Sequence, residues 1–292
     1  MKHRCTILLP VYNGLPYLEY AITSLLAQTE KSSLIYVLDD GSTDGTSDYL
    51  KTINKNEVKI FTLEKGGLTK ALNYGLERVT TEYVARMDAD DISDKCRIEK
   101  QIKYLESNPE CVLVGGWIRY ISEDGNRRSW EIRAPLNHDG IVSKLKLRQS
   151  AIVNATTMCR TEAVIKAGWH DSTTFPAEDY DLFIRMSQIG KLANLPQVIL
   201  DVRIHEKSVI SNNFFDSLTK YAESVEKHFG KKIKRSRRMY LYFDACSAIV
   251  YRKGLHYYLN RIRIFGVGLI IIAIILNPLR LGYFLSKRVL KR

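Results

Sequence analysis

The chain has too few cysteines, spread too widely, for a disulfide framework or a structural metal module. Its 292 residues contain five (Cys5, Cys96, Cys111, Cys159 and Cys246), with no CxxC pair and no Cys/His ligand spacing. That excludes a zinc module and fits a reducing, cytosolic setting. A secretory signal peptide is not expected: the apolar stretch Cys5 to Leu9 is short and runs straight into Pro10-Val11-Tyr12-Asn13. No internal repeat is visible. No uncharged apolar run reaches the ~20 residues that a membrane-spanning helix needs.

Acidic residues are nearly absent from the last quarter. From Lys227 onward there are sixteen Lys or Arg and one acid, Asp244, a balance of +15; the whole chain carries +12, so residues 1–226 carry −3. A tail of that charge serves either nucleic acid or an anionic membrane surface. Within it, Ile264 to Leu276 is an uncharged apolar run of thirteen residues. As a helix it measures about 20 Å, short of the ~30 Å hydrocarbon core. A second apolar patch, Leu281-Gly282-Tyr283-Phe284-Leu285, follows Asn277-Pro278-Leu279-Arg280. The pattern predicts a monotopic or re-entrant membrane insertion over 264–285. The alternative is a buried helix of a soluble domain. Basic residues flank both sides, so charge asymmetry sets no topology.

Short apolar runs at 4–9, Leu34–Leu38, Val58–Leu63 and Tyr83–Met87 predict strands. Helical spacing predicts helices at about 15–28, 45–54 and Leu68–Val79 between them. That cadence argues an α/β fold with a mostly parallel sheet flanked by helices. Further on, the pattern predicts a helix Lys95–Glu106, a hairpin of Val112–Ile121 with Arg127–Arg133, and a helix Asn137–Leu147. It then predicts a strand Ile152–Met158, helices Thr161–Ala167 and Asp179–Ile189, and a last strand Val198–Arg203. The composition shifts near 207–226, which divides the chain into a domain 1–210 and a basic helical extension 211–292.

The densest chemistry lies in Asp88-Ala89-Asp90-Asp91, just after the fourth strand. Three carboxylates in four residues repel one another unless something positive sits among them. A hard divalent cation such as Mg²⁺ or Mn²⁺ takes such ligands and bridges them to a diphosphate. Strand carboxyl ends are also where open α/β sheets hold ligands. The alternative is a solvated acidic loop.

Four motifs together resemble the family 2 glycosyltransferases, which have the GT-A fold. They are Pro10-Val11-Tyr12-Asn13, Asp39-Asp40-Gly41-Ser42-Thr43-Asp44, Asp88-Ala89-Asp90-Asp91 and Glu178-Asp179-Tyr180-Asp181-Leu182, in the family's order, over about residues 4–210. The resemblance implies a nucleotide-sugar donor and a Mn²⁺ or Mg²⁺ held by Asp90, with Asp88 behind it directly or through water. It implies that Asp40 accepts the uracil N3–H, a contact cytosine cannot offer. Tyr12 then stacks on the base, and Pro10, Val11 and Ala89 wall the donor pocket. Asp179 matches the family's general base, which takes a proton from the acceptor hydroxyl during inversion; Glu178 beside it binds the acceptor. The alternative for Glu178 and Asp179 is to complement a helix N-terminus. Asp91 contacts sugar or supports its neighbours, or else caps a helix. Lys70 is a candidate phosphate contact. His205, in Arg203-Ile204-His205, resembles an Arg-x-His element that holds metal or diphosphate; it is otherwise a plain loop histidine.

The QxxRW element of processive synthases is absent, which argues for adding a single sugar. The expected protein is thus an inverting UDP-sugar transferase with a saccharide acceptor, lipid-diphosphate-linked, forming a β-linkage. Its expected place is the cytoplasmic face of the inner membrane, in cell-surface polysaccharide assembly. Two other readings compete. A nucleotidyltransferase has a related sheet, but its Gly-rich basic phosphate loop is missing after the first strand. A non-catalytic module docking nucleic acid fits the tail charge but not its apolar run.

Overall fold

Seven consecutive buried residues make β1 (Cys5–Val11), and seven more make β2 (Ser33–Asp39). Strands covered on both faces belong in the middle of a parallel sheet between helix layers. The computed structural model describes residues 3–147, 151–205, 214–230, 250–251, 253–260 and 263–276. The first half alternates as expected: α1 (Leu18–Leu26), α2 (Thr46–Lys51), β3 (Val58–Thr62), α3 (Leu68–Leu76) and β4 (Tyr83–Arg86). β1 runs parallel to β2, with Ile7 opposite Ile35, and parallel to β4, with Cys5 opposite Tyr83; β2 runs parallel to β3. The order β3-β2-β1-β4 reverses its direction of growth at β1. Such a reversal opens a crevice at the carboxyl ends of the strands on either side of it. Three of the four motifs end β1, β2 and β4.

Beyond β4 come β5 (Ile92–Ser93), α4 (Arg97–Ser107), β6 (Cys111–Ile121), β7 (Arg128–Ile132) and α5 (His138–Lys146). Then follow β8 (Met158–Arg160), α6 (Thr161–Ala167), α7 (Glu178–Met186) and β9 (Lys191–Arg203). β8 pairs antiparallel with β4 and β6, and β5 antiparallel with β9. The predicted strand 152–158 is instead a 3₁₀ turn, Asn154–Thr156, followed by β8. Thr156 and Thr157 donate their hydroxyls to the Val153 and Asn154 carbonyls, which folds the segment on itself. β9 begins seven residues before its predicted start. It runs through Pro196, which is exposed. β5, two residues long, was not foreseen at all.

The chain forms two compact units: Met1–Ile118 with Glu131–Val202, and Arg119–Trp130 with Arg203–Arg292. In the second, Ile204, Tyr251, Leu255, Leu259, Ile270 and Ala273 form a buried cluster. Arg203 ties this unit's hairpin tip by donating to the Ser122 and Glu123 carbonyls. Helices α8 (Phe214–Phe229) and α9 (Arg263–Leu276) also lie here. The apolar patch 281–285 and residues 206–208 lie outside the described residues.

Candidate active site

The first two motifs form one structure. Asn13 donates its amide to Ser42 Oγ at 2.9 Å, and its Oδ1 accepts the Thr43 amide at 2.8 Å. Gly14 N donates to Thr46 Oγ1 at 2.9 Å. Asp39, fully buried, accepts from Ser42 N and Ser47 Oγ, so it builds the loop. Asp40 is also buried, and its two oxygens accept the Gly66 and Gly67 amides at 2.7 and 2.9 Å. Gly67 has φ of 88°, a left-handed conformation that favours glycine and turns this amide pair toward the carboxylate. One lone pair on each Asp40 oxygen remains for another donor. Lys70 is exposed on α3, and its aliphatic stem covers Gly66 closely enough that a Cβ there would meet Lys70 Cδ. Tyr12 is 43% exposed beside this loop; Lys65 Nζ bonds its hydroxyl at 2.7 Å and sits 3.9 Å above its ring. Pro10 and Val11 are buried at the end of β1.

The third motif leaves β4 directly. Asp88, Ala89 and Asp90 are half-buried, while Asp91 is 1% exposed. One carboxylate oxygen from each of Asp88, Asp90 and Asp91 lies within 4.8 Å of the others, a spacing that fits a single hard cation. Asp91 does not cap a helix. α4 starts at Arg97, and Asp94 serves its N-terminal turn by accepting from Cys96 N. Asp91 instead lies within electrostatic reach of Arg97, which is fully buried and donates to Gln101 Oε1 and to the Arg86 and Thr157 carbonyls. Burial pulls Arg97 down to about 10, which leaves it charged at neutral pH.

The fourth motif starts α7, and its acids do complement that helix's N-terminus. Ninety positions separate Glu178 from Asp88, yet the fold brings them together. Glu178 is 6% exposed, and burial pushes its carboxyl up to about 7. The charges of Asp179 and, more weakly, Asp88 add to that rise, while Arg86 opposes it. Asp179 is half-buried, and Asp181, fully buried, pairs with Arg185 at 2.7 Å along the helix. His205 follows β9 in the second unit and is half-buried.

The carboxylates of Asp88–Asp91 and Glu178–Asp179 and the loop held by Asp40 describe a chemistry without naming a lineage. The lineage comes from comparison: the model of Glycosyl transferase family 2 matches residues 6–170, more than half of the chain. This chain belongs to that family. The glycosyltransferase is 38% identical over 193 residues to the amylovoran biosynthesis glycosyltransferase AmsE of Erwinia amylovora, covering 64% of this chain and 70% of that one. It is 33% identical over 209 residues to the O-antigen biosynthesis glycosyltransferase WbnJ of Escherichia coli, covering 70% and 80% respectively. An uncharacterized glycosyltransferase of Haemophilus influenzae is 31% identical over 211 residues, 68% of this chain and 65% of that one. Among solved structures, S. aureus TarS 1-349 in complex with UDP-GlcNAc superposes with a TM-score of 0.61 at 16% identity, covering 88% of this chain and 74% of that one. The mannosyltransferase PcManGT of Pyrobaculum calidifontis, in complex with GDP-Man and Mn²⁺, gives 0.60 at 17% identity, with 94% and 74% covered. At such identities these two establish the GT-A fold alone. Family membership favours glycosyl transfer over the nucleotidyltransferase and non-catalytic readings.

Sequence reasoning missed several residues of this glycosyltransferase site. Lys65 and the Gly66-Gly67 amides carried only a turn signal. Arg86 had a clearer one: a charge inside the apolar run Tyr83–Met87. His170 and Asn73 had none. The Asn73 side chain clamps the His170 main chain from α3, donating to its carbonyl at 2.8 Å and accepting from its amide at 3.1 Å. The His170 ring, 9% exposed, bonds the Glu178 main chain. Burial first, then the charges of Arg86 and Arg185, pull it down to about 4. A neutral histidine in the fold that protonates near 6.5 when unfolded stabilises the protein fully above pH 6.5. That contribution drains away as pH falls from 6.5 toward 4 and totals roughly 3 kcal/mol at most. Urea midpoints at pH 7, 6 and 5 should therefore fall less steeply in His170→Gln than in the unmodified protein. Equal slopes would show that the ring charges freely in the native state.

Proposed function

We propose that this glycosyltransferase is inverting and metal-dependent and moves one sugar from a UDP-sugar to a hydroxyl of a saccharide acceptor, forming a β-linkage. The observation that carries this is that Glu178, beside Asp179 at the start of α7, lies within electrostatic reach of Asp88 in the Asp88–Asp91 cluster. Asp90 and Asp88 hold the cation, and Asp91 supports them from its buried position over Arg97. A bound Mn²⁺ or Mg²⁺ supplies Lewis-acid stabilisation of the charge that builds on the departing diphosphate oxygen. Asp179 accepts the acceptor hydroxyl's proton as that oxygen attacks the anomeric carbon and the bond to the diphosphate breaks. Glu178 orients the acceptor. Asp40 reads uracil with its free lone pairs, Tyr12 stacks on the base, and Lys70 meets phosphate. TarS, solved with UDP-GlcNAc, supports a UDP-sugar donor; PcManGT, solved with Mn²⁺, supports the metal.

AmsE and WbnJ, named for amylovoran and O-antigen biosynthesis, support a role in polysaccharide assembly; the acceptor in this proposal is lipid-diphosphate-linked. The direct test is a panel of UDP-sugars assayed for UDP release with Mn²⁺ or Mg²⁺, with and without membrane lipid extract. Release that needs both a divalent cation and the extract is the expected result. Pyrophosphate release instead of UDP overturns it.

We also place the protein on the cytoplasmic face of the inner membrane through α9. Among the described residues no helix is long and apolar enough to cross a membrane. α9 buries Ile270 and Ala273 within its own unit but leaves Val267, Ile271 and Ile272 about half exposed. An apolar face bordered by a strongly basic tail suits the interface of an anionic bilayer. The double variant Ile271→Glu/Ile272→Glu should lose co-sedimentation with phosphatidylglycerol vesicles while its thermal melt is unchanged. Undiminished sedimentation removes α9 as the anchor.

A further inference from the structure

Arg86 lies inside the acidic crevice, on the last residue of β4. Its main chain is fixed on both sides: its amide donates to the Thr157 carbonyl at 3.0 Å, and its carbonyl accepts from Arg97 at 2.7 Å. Its side chain is 10% exposed and reaches back along the strand end to Asp88. Nη2 meets Asp88 Oδ1 at 2.5 Å and Nη1 meets Oδ2 at 3.4 Å, a two-point grip on one candidate metal ligand. Its Nε makes no hydrogen bond among the described residues, so Asp88 is the side chain that holds the guanidinium. Arg86 also acts electrostatically on Glu178 and on His170. A cavity of about 30 Å³, lined by Arg86, Thr157, Cys159, His170 and Leu182 among others, adjoins it. That is room for about two waters, or for the guanidinium to shift.

These observations fix what a bare cation meets. It must take Asp88 from a guanidinium that already satisfies both of its oxygens. It must also approach that guanidinium's positive charge in a poorly screened site. A cation that arrives bound to a donor diphosphate meets neither obstacle in full. The diphosphate oxygens give Arg86 a new acceptor of matching geometry as Asp88 is released.

We propose that Arg86 is a positioning residue that acts as the resident counter-cation of the acidic cluster, holding Asp88 until metal and donor enter together. It makes free divalent cation a poor ligand and couples metal uptake to nucleotide. This rests on the metal-dependent reading above, and the test separates the two.

The test is calorimetry on the full chain with Mn²⁺ alone, UDP alone, and Mn²⁺ in the presence of UDP, for the unmodified protein, Arg86→Gln and Arg86→Lys. The unmodified protein should bind Mn²⁺ at least tenfold more tightly with UDP than without it. In Arg86→Gln, Mn²⁺ alone should bind at least tenfold more tightly than in the unmodified protein, and the gain from UDP should shrink by a similar factor. Arg86→Lys, which keeps the charge and loses the fork, should lie between. No Mn²⁺ uptake by the unmodified protein under any condition overturns the metal reading itself. Uptake there, with Arg86→Gln binding Mn²⁺ alone no more tightly, overturns the role of Arg86 only. Should Arg86→Gln fail to fold by circular dichroism, Asp88→Asn decides. Because Arg86 already occupies Asp88, its loss should weaken binding of Mn²⁺ alone less than threefold, while Asp90→Asn abolishes it. Equal losses in both overturn the proposal.

Discussion

Asp179→Asn should lower sugar transfer by about 10²–10⁴-fold, the usual contribution of a positioned general base. An amide has the same shape as the carboxylate but cannot accept the acceptor's proton. Asp179 is half-buried at the start of α7, where an Asn also suits the helix N-terminus, so the fold should be unaffected. The loss should fall on kcat, with UDP affinity in the presence of Mn²⁺ unchanged by calorimetry. Glu178→Gln should cost less, because burial pushes Glu178 up to about 7, so a large share of it already carries a proton at neutral pH and below. If Asp179→Asn transfers sugar normally and Glu178→Gln does not, the base is Glu178. If neither variant loses activity, the inverting mechanism proposed for α7 is wrong.

Asp90→Asn should cost at least about 10²-fold in transfer, through the leaving group instead of the nucleophile. Removing one of three carboxylates whose oxygens lie within 4.8 Å of one another takes away both a ligand and a charge. The gain in UDP affinity that Mn²⁺ gives the unmodified protein should disappear, while UDP alone binds as before through Asp40 and Tyr12. The two variants thus have opposite signatures: Asp179→Asn keeps metal-dependent nucleotide binding and Asp90→Asn loses it. Transfer that persists at its full rate in excess chelator would remove the metal from the mechanism.

Much of this was readable in one dimension because it is local. The parallel βα units announce themselves through short apolar runs and helical spacing, and each of the first three motifs sits on the few residues after a strand. What stayed hidden had local and non-local causes. β9 starts seven residues before its predicted start and runs through a proline at an exposed position. The 152–158 strand was lost to threonines that bond their own backbone. His170 owes its state to α3, α7 and Arg86, none of which stands near it in the sequence.

Sequence by itself determined the family resemblance and the place of the acidic cluster: three carboxylates in four residues after an apolar strand, at the edge of the sheet where open α/β folds hold ligands. Only the tertiary structure decided that Glu178 of α7 comes within electrostatic reach of that cluster and that Arg86 pairs with Asp88. The physical reason is range. Strand and helix signals come from neighbours within a few residues, whereas the field at a carboxylate is set by whatever charge the fold carries to within a few ångströms, at any distance along the chain.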